Sequence, residues 1–227
     1  MCGRYVHAYT WLRIYEQLSA YISSLNESLR SMPGPPASYN VAPTQAVPVL
    51  RVGDGGIVPA MMRWWLVPSW AKSADESKYA TFNARSEDAA AKPAFRSPYK
   101  RRRCVLPASG FYEWQKLDAK TKRPHYITRA DGEPVYFAGL YDVWHDKLES
   151  CTILTTTPNA EMAELHKRMP CVLEPEQIEG WLDPSMEEPE RIAEYLLPAP
   201  DGTLAAHPVG KRVGSPRNND PTLIAHV

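Results

Sequence analysis

Twenty-two prolines are spread along 227 residues and fall at nearly every joint between apolar segments. Each proline fixes φ and removes a backbone donor, so elements between such joints must be short. The segments left over, at 46–51, 57–65, 103–107, 110–115, 124–129, 134–140 and 151–156, are apolar or alternating. Their length and their β-branched and aromatic residues, such as Tyr126, Ile127, Tyr136 and Phe137, predict strands of a largely antiparallel assembly. Ala130-Asp131-Gly132-Glu133 predicts a hairpin turn between two of them. The polar stretches Ala71 to Lys78 and Asp118 to Arg123 read as exposed loops.

Helical spacing is confined to the two ends. Apolar residues recur with the 3.6-residue period from Trp11 to Leu29, with Thr10 placed to cap the start and Pro33-Gly34-Pro35-Pro36 beyond the end. The period returns at 159–169, where Met162, Leu165 and Met169 share a face, and at 175–182 and 187–197. No repeat, linker or shift in composition divides the chain. Residues 1–227 are expected to form a single α+β domain, a barrel-like antiparallel core with a few flanking helices.

Composition narrows the class. With 44% hydrophobic and 23% charged residues the chain reads as a soluble globular protein. No run approaches the roughly 18 apolar residues of a membrane helix, and the start lacks a signal-peptide pattern, so a cytoplasmic protein with no membrane partner is expected. Cys2, Cys104, Cys151 and Cys171 lie far apart without metal-ligand spacing, which predicts free thiols, no metal and no cofactor. Net charge is zero. A block at Lys100-Arg101-Arg102-Arg103, joined by Arg63, Arg85, Arg96, Lys211, Arg212 and Arg217, could still give a local phosphate-binding footprint, or be only a solvated face.

The residues that could carry chemistry are few. Cys2 becomes the first residue if Met1 is removed, and an N-terminal cysteine is a 1,2-aminothiol that can trap an aldehyde first as an imine and then as a thiazolidine. Glu113, in Gly110-Phe111-Tyr112-Glu113-Trp114, either points at water by strand alternation, pairs with a cation, or is desolvated as a general acid or base. Asn83 stands in Thr81-Phe82-Asn83-Ala84-Arg85-Ser86-Glu87, a polar residue beside apolar neighbours. His166 lies late in a predicted short helix that Pro170 would terminate, where it could be a surface residue or pair with a thiol. Trp64-Trp65-Leu66-Val67-Pro68-Ser69-Trp70 is aromatic enough for base stacking, although such tryptophans can equally be core.

Met1-Cys2-Gly3-Arg4, Tyr39-Asn40-Val41-Ala42-Pro43, Asn83-Ala84-Arg85-Ser86-Glu87, Gly110-Phe111-Tyr112-Glu113-Trp114, His166-Lys167-Arg168-Met169-Pro170, and His207-Pro208-Val209 with Pro216-Arg217-Asn218 together resemble the SOS-response-associated peptidase (SRAP) family of abasic-site processing proteins. The resemblance spans nearly the whole chain in order. It implies a monomeric DNA-repair protein, nucleoid-associated at damage, whose Cys2 crosslinks to abasic sites in single-stranded DNA, with lyase-type chemistry and self-removal of Met1. Carried over, Cys2, Asn83, Glu113 and His166 would be catalytic. Arg4, Arg85 and Arg168 would bind phosphates, and Asn40 belongs to the DNA-binding set. One or more of Trp64, Trp65, Trp114 and the Pro43 loop would stack on or wedge beside bases. Trp65 and Asp88 stand where Gly and Thr are more usual in the family. Two other readings stay open on the residues alone: a cysteine peptidase using Cys2 and His166, and a non-catalytic single-strand-binding module.

Overall fold

The computed structural model describes residues 2–74 and 80–227, an α+β arrangement of two sheets and short helices. Its strands are β1 (Tyr5–His7), β2 (Ser38–Val41), β3 (Ala46–Gly53), β4 (Gly56–Trp64), β5 (Asn83–Arg85), β6 (Arg103–Ala108), β7 (Gly110–Lys116), β8 (Lys122–Arg129), β9 (Val135–Trp144), β10 (Leu148–Thr156), β11 (Met169–Pro170), β12 (Val172–Leu173) and β13 (Leu204–Pro208). Each of the seven predicted segments is a strand. The helices are α1 (Trp11–Leu18), α2 (Ser86–Ala89), α3 (Arg96–Arg101), α4 (Ala160–Ala163), α5 (Ile178–Leu182) and α6 (Pro189–Ala193).

One sheet is antiparallel in the order β13-β8-β7-β1-β2. In the other, β10, β4, β3, β6 and β9 pair in sequence and β9 pairs again with β10, which closes the ring as a small barrel. β10 runs parallel to β4 and to β5, a departure from the antiparallel rule. Alternation along a strand sends neighbours to opposite faces. Thus Cys104 and Leu106 of β6 join an apolar cluster that contains Cys2, Tyr5 and Phe111, whereas Val105 joins one built on Trp11, Ile14, Leu18 and Trp181. The first cluster lies between the two sheets, and the helices cover the second.

The predicted helix over 11–29 stops at Leu18. Thr10 does cap it, accepting from the Arg13 N–H at 3.2 Å. Beyond Leu18 the Ser23-Ser24-Leu25-Asn26 backbone is claimed by other partners: the Ser24 carbonyl accepts from Ile57 N–H at 2.7 Å and Glu179 binds the Ser24 hydroxyl at 2.7 Å. Asn26 then caps a 3-10 turn over Glu27–Arg30. Gly56 allows this close approach, since its φ is +113° and a Cβ there would lie 2.0 Å from the Ser24 oxygen.

Two further expectations need correction. Ala130–Glu133 is a turn, but not a hairpin: β8 pairs with β7 and β13, while β9 pairs with β6, β10 and β12. Turn chemistry at Asp131 and Gly132 reverses the chain and leaves the choice of partner to long-range packing. The helix predicted over 159–169 is only α4. Pro170 excludes helical geometry at Met169, and Met169-Pro170 pairs with β10 instead. The segments 175–182 and 187–197 form α5 and α6 with adjoining 3-10 turns. Residues 118–121 turn between β7 and β8, and Lys122 and Arg123 already belong to β8. Of the predicted loop 71–78, residues 75–78 lie outside the described residues, as does Met1.

Candidate active site around Cys2

The chain enters β1 beside β7, where the Arg4 carbonyl accepts from Tyr112 N–H at 2.9 Å. This places Cys2 in the inter-sheet cluster, fully buried. The Asn83 side-chain amide, at the start of β5, donates to the Cys2 carbonyl at 2.8 Å. Its other side-chain atom, Oδ1, is buried without a hydrogen bond among the described residues. An unsatisfied buried acceptor is costly, and such atoms in native structures call for a reason.

Glu113 is the β7 residue that strand alternation turns inward. It is 3% exposed, while Tyr112 and Trp114 pack on the other face, Tyr112 against Val209 and Val213. Glu113 is therefore buried rather than pointed at water. Burial raises the Cys2 thiol far above its ordinary pKa, and the negative charge of Glu113 acts in the same direction. The two side chains are thus electrostatic neighbours, and the thiol is held protonated.

His166 is not in a helix. It follows α4 in a turn, half-buried, and its N–H donates to the Met162 carbonyl at 2.8 Å. Its Nδ1 lies 3.2 Å from the Arg168 N–H and 3.1 Å from the Arg168 carbonyl, accepting from the one or donating to the other according to tautomer. Leu165 packs on the cluster that holds Cys2. Gln115, two residues past Glu113, donates to the Glu164 carbonyl at 3.3 Å and so ties β7 to the turn that carries His166. Cys2, Asn83, Glu113 and the His166 turn come from four distant parts of the chain; Cys2 is tied to Asn83 by a hydrogen bond and to Glu113 by charge, and Leu165 beside His166 packs on the same cluster.

The expected DNA-binding residues divide into two groups. Asn40 is buried, and its amide donates to the carbonyls of Val213, Ser215 and Asn218 at 3.2, 2.9 and 2.9 Å. Arg4 donates to Asn40 Oδ1 and the Val213 carbonyl, both at 2.9 Å. These two side chains anchor residues 213–218 to the sheet, a role that spends their hydrogen-bonding groups internally. Trp64 is fully buried, donates to the Phe82 carbonyl at 2.8 Å and meets Tyr5 edge-on at 5.2 Å. It is a core residue, so any stacking passes to the others. Arg168 is paired with Glu87 and with Thr155.

The second group is accessible. Trp65 and Trp114 are half-exposed, and Trp65 lies over Phe82 with centroids 5.6 Å apart. Arg85 is 56% exposed at the end of the strand that begins with Asn83. Pro43 sits at the corner of a turn closed by Gln45 N–H to the Ala42 carbonyl at 3.3 Å, and Thr44 within it has φ +80°. A β-branched residue in that region is strained, and such strain gathers at functional loops. No sequence signal marks Thr44 or Gln115, the two contributors that sequence reasoning missed.

Three of the four cations of the basic block have partners within the chain. Arg103 is buried and donates to the Trp181, Tyr99, Lys100 and Asp183 carbonyls. Arg102 pairs with Asp142 at 3.1 Å and Arg101 with Glu187 at 2.8 Å. This block ties α3 to its surroundings. His207 likewise bonds the Ile224 carbonyl at 2.9 Å and fastens the last residues to β13. All four cysteines are free and buried. Among the described residues no His, Cys, Asp and Glu cluster could hold a metal, and no helix is long and apolar enough to cross a membrane.

Residues 1–216 match the family model described as SOS response associated peptidase (SRAP). The sequence is 40% identical over 191 residues to abasic site processing protein YoqW of Bacillus subtilis, covering 82% of this chain and 85% of that one. It is 34% identical over 224 residues to abasic site processing protein HMCES of Xenopus tropicalis, covering 84% of this chain and 66% of that one. A crystal structure of a Bacteroides thetaiotaomicron protein superposes with a TM-score of 0.82 at 27% identity, covering both chains in full.

Proposed function

The chain belongs to the SOS response associated peptidase (SRAP) family, a family of DNA repair at abasic sites, and on that premise we propose that it crosslinks covalently to such sites through Cys2. Once Met1 is gone, the α-amine of Cys2, with an ordinary pKa of about 7.7–8.0, is partly neutral near pH 7.5. Its nitrogen adds to the aldehyde carbon of the ring-opened sugar, and the aldehyde oxygen leaves as water. The thiol then adds across the resulting C=N bond, its proton passing to nitrogen, and a thiazolidine closes. Both nucleophiles belong to one residue, so closure is intramolecular and gains a large effective molarity.

The surroundings supply the rest. Glu113 moves protons during sugar opening and loss of water, and the raised thiol pKa keeps sulfur from ionising before the imine exists. Asn83 holds the Cys2 carbonyl and so sets the direction of the amine. His166 bonds the opened sugar and protonates the imine. Before the ring closes, the imine acidifies the adjacent sugar C–H. Transfer of that proton to Glu113 or His166, with departure of the 3′-phosphate, is the lyase branch. Self-removal of Met1 uses the same groups. Arg85 takes a backbone phosphate, with Trp65, Trp114 and the Pro43 turn beside the unstacked bases.

The observation that supports this reading is that buried Cys2 accepts a hydrogen bond from the buried Asn83 amide and its thiol feels the charge of the buried Glu113 carboxylate. A uracil-containing single strand treated with a glycosylase is expected to give a band that survives denaturation, absent with the untreated strand and with protein that retains Met1. Cleavage of unrelated peptides without that band would favour a peptidase instead. Equal affinity for intact and abasic strands with no band would favour a simple binding module.

A further inference from the structure

Between β2 and β3 the chain turns at Ala42-Pro43-Thr44-Gln45, and the Gln45 side chain closes that turn on itself: its Oε1 accepts from the Ala42 N–H at 2.9 Å. We propose that Gln45 is a positioning residue for strand recognition, which locks the Pro43 turn and holds it at a fixed place relative to Trp65. The inference rests on the reading above that this turn lies beside the unstacked bases.

The backbone of the turn needs such a lock. Pro43 stands second and Thr44 third, and the Gln45 N–H returns to the Ala42 carbonyl at 3.3 Å. The φ of +80° at Thr44 is then the one that a type II turn demands at its third residue. Glycine is usual there, because a Cβ is disfavoured in that region and a β-branched side chain most of all. A strained residue persists only where its surroundings over-determine it. The Thr44 N–H donates to the Trp64 carbonyl at 2.9 Å, and the Trp64 N–H donates to the Gln45 carbonyl at 2.8 Å. These two bonds hold the turn from the side of β4, and the Gln45 side chain holds it from the side of β2.

The same contacts tie the turn to the rest of the site. Trp64 is fully buried and donates to the Phe82 carbonyl at 2.8 Å, and Trp65 lies over the Phe82 ring at 5.6 Å. The Pro43 turn and Trp65 are therefore referred to one pair of core residues. On the other flank, Val41 pairs with Tyr5 of β1, the strand that the chain enters from Cys2. Pro43 is half-buried and Thr44 and Gln45 are exposed, so the locked turn stands at the surface. A turn that is ordered before the strand arrives loses little freedom on binding, and its contact with a base is not offset by that loss.

The test is the affinity for an intact single strand over a range of salt, a reading that does not depend on whether Cys2 crosslinks, with all variants verified as folded. Gln45→Ala is expected to weaken binding about fivefold, the scale of one hydrogen bond. Its salt slope should be that of wild type, because no phosphate contact is lost. In a Thr44→Gly background the same substitution should weaken binding about twofold or less, since glycine takes the type II turn unaided. In a Pro43→Ala background it should add nothing. Wild-type affinity in Gln45→Ala overturns the proposal. So does a loss that is as large in the Thr44→Gly background, which would make Gln45 a direct contact of the strand. If Pro43→Ala binds as tightly as wild type, the turn is no part of the strand-binding face and the proposal falls with that reading. Absence of any adduct with an abasic strand would instead remove the crosslinking reading alone.

Discussion

Asn83 and Cys2, 81 positions apart in the chain, are joined by a buried hydrogen bond of 2.8 Å from the Asn83 amide to the Cys2 carbonyl. This bond fixes the residue that must present both an amine and a thiol to one carbon. Asn83→Ala leaves the carbonyl without that donor, a change of about 1–3 kcal/mol in stability, and should slow crosslinking. Asn83→Asp sets a carboxylate oxygen against the carbonyl oxygen and should be slower still. Rates ordered the other way would mean that Asn83 serves as something other than a donor to Cys2.

Thiol chemistry gives a second prediction. Cys104, Cys151 and Cys171 are wholly buried, and burial raises the pKa of each. In native protein a thiol reagent should leave all three unlabelled, and in denaturant it should count four. Cys2 is buried as well, and burial and the charge of Glu113 hold its thiol protonated, so native protein should label there slowly, and an abasic strand should abolish that labelling. A fast equivalent in native Cys2→Ala would place a reactive thiol elsewhere.

Acid should weaken the fold through His7. Burial lowers its pKa from 6.5 to about 4, so the unfolded chain binds the proton that the folded one refuses. Stability therefore falls as the pH drops from about 6.5 to about 4, by on the order of 3 kcal/mol from this group. Urea midpoints at pH 7 and pH 4.5 measure it, and His7→Gln should flatten that contribution. An unchanged pH dependence in the variant would show that His7 is accessible to protons in the fold.

The tryptophans should separate stability from binding. Trp64→Ala removes a fully buried indole and should destabilise by about 3–5 kcal/mol. Trp65→Ala and Trp114→Ala should spare stability comparatively and weaken single-strand affinity by about 1–3 kcal/mol for each base that loses its platform. Single-strand affinity unchanged in both would leave the Pro43 turn as the remaining candidate for contact with the bases.

Much of this was legible in the residues. The short apolar segments 103–107 and 110–115 locate β6 and β7, because strand geometry is set locally. The family resemblance, carried by six separated motifs, brings forward Cys2, Asn83, Glu113 and His166, of which the fold joins Asn83 to Cys2 by a hydrogen bond. What stayed hidden depended on partners far along the chain. The residues from Ser23 to Asn26 carry no helix breaker as strong as proline, and the helix stops because Ile57 and Glu179 take their polar groups. Arg4 and Asn40 look like surface residues until the carbonyls of 213–218 arrive to occupy them. Within the basic block, Arg103, Arg102 and Arg101 look like a nucleic-acid footprint until their partners Trp181, Asp142 and Glu187 arrive from elsewhere in the chain.

The most direct test of the crosslinking account is the intact mass of the protein before and after incubation with an abasic single strand. The account predicts a chain without Met1 that gains the mass of the strand less one water, the balance of imine formation followed by ring closure. A covalent species of the same mass formed by Cys2→Ala, or by protein that keeps Met1, would contradict it.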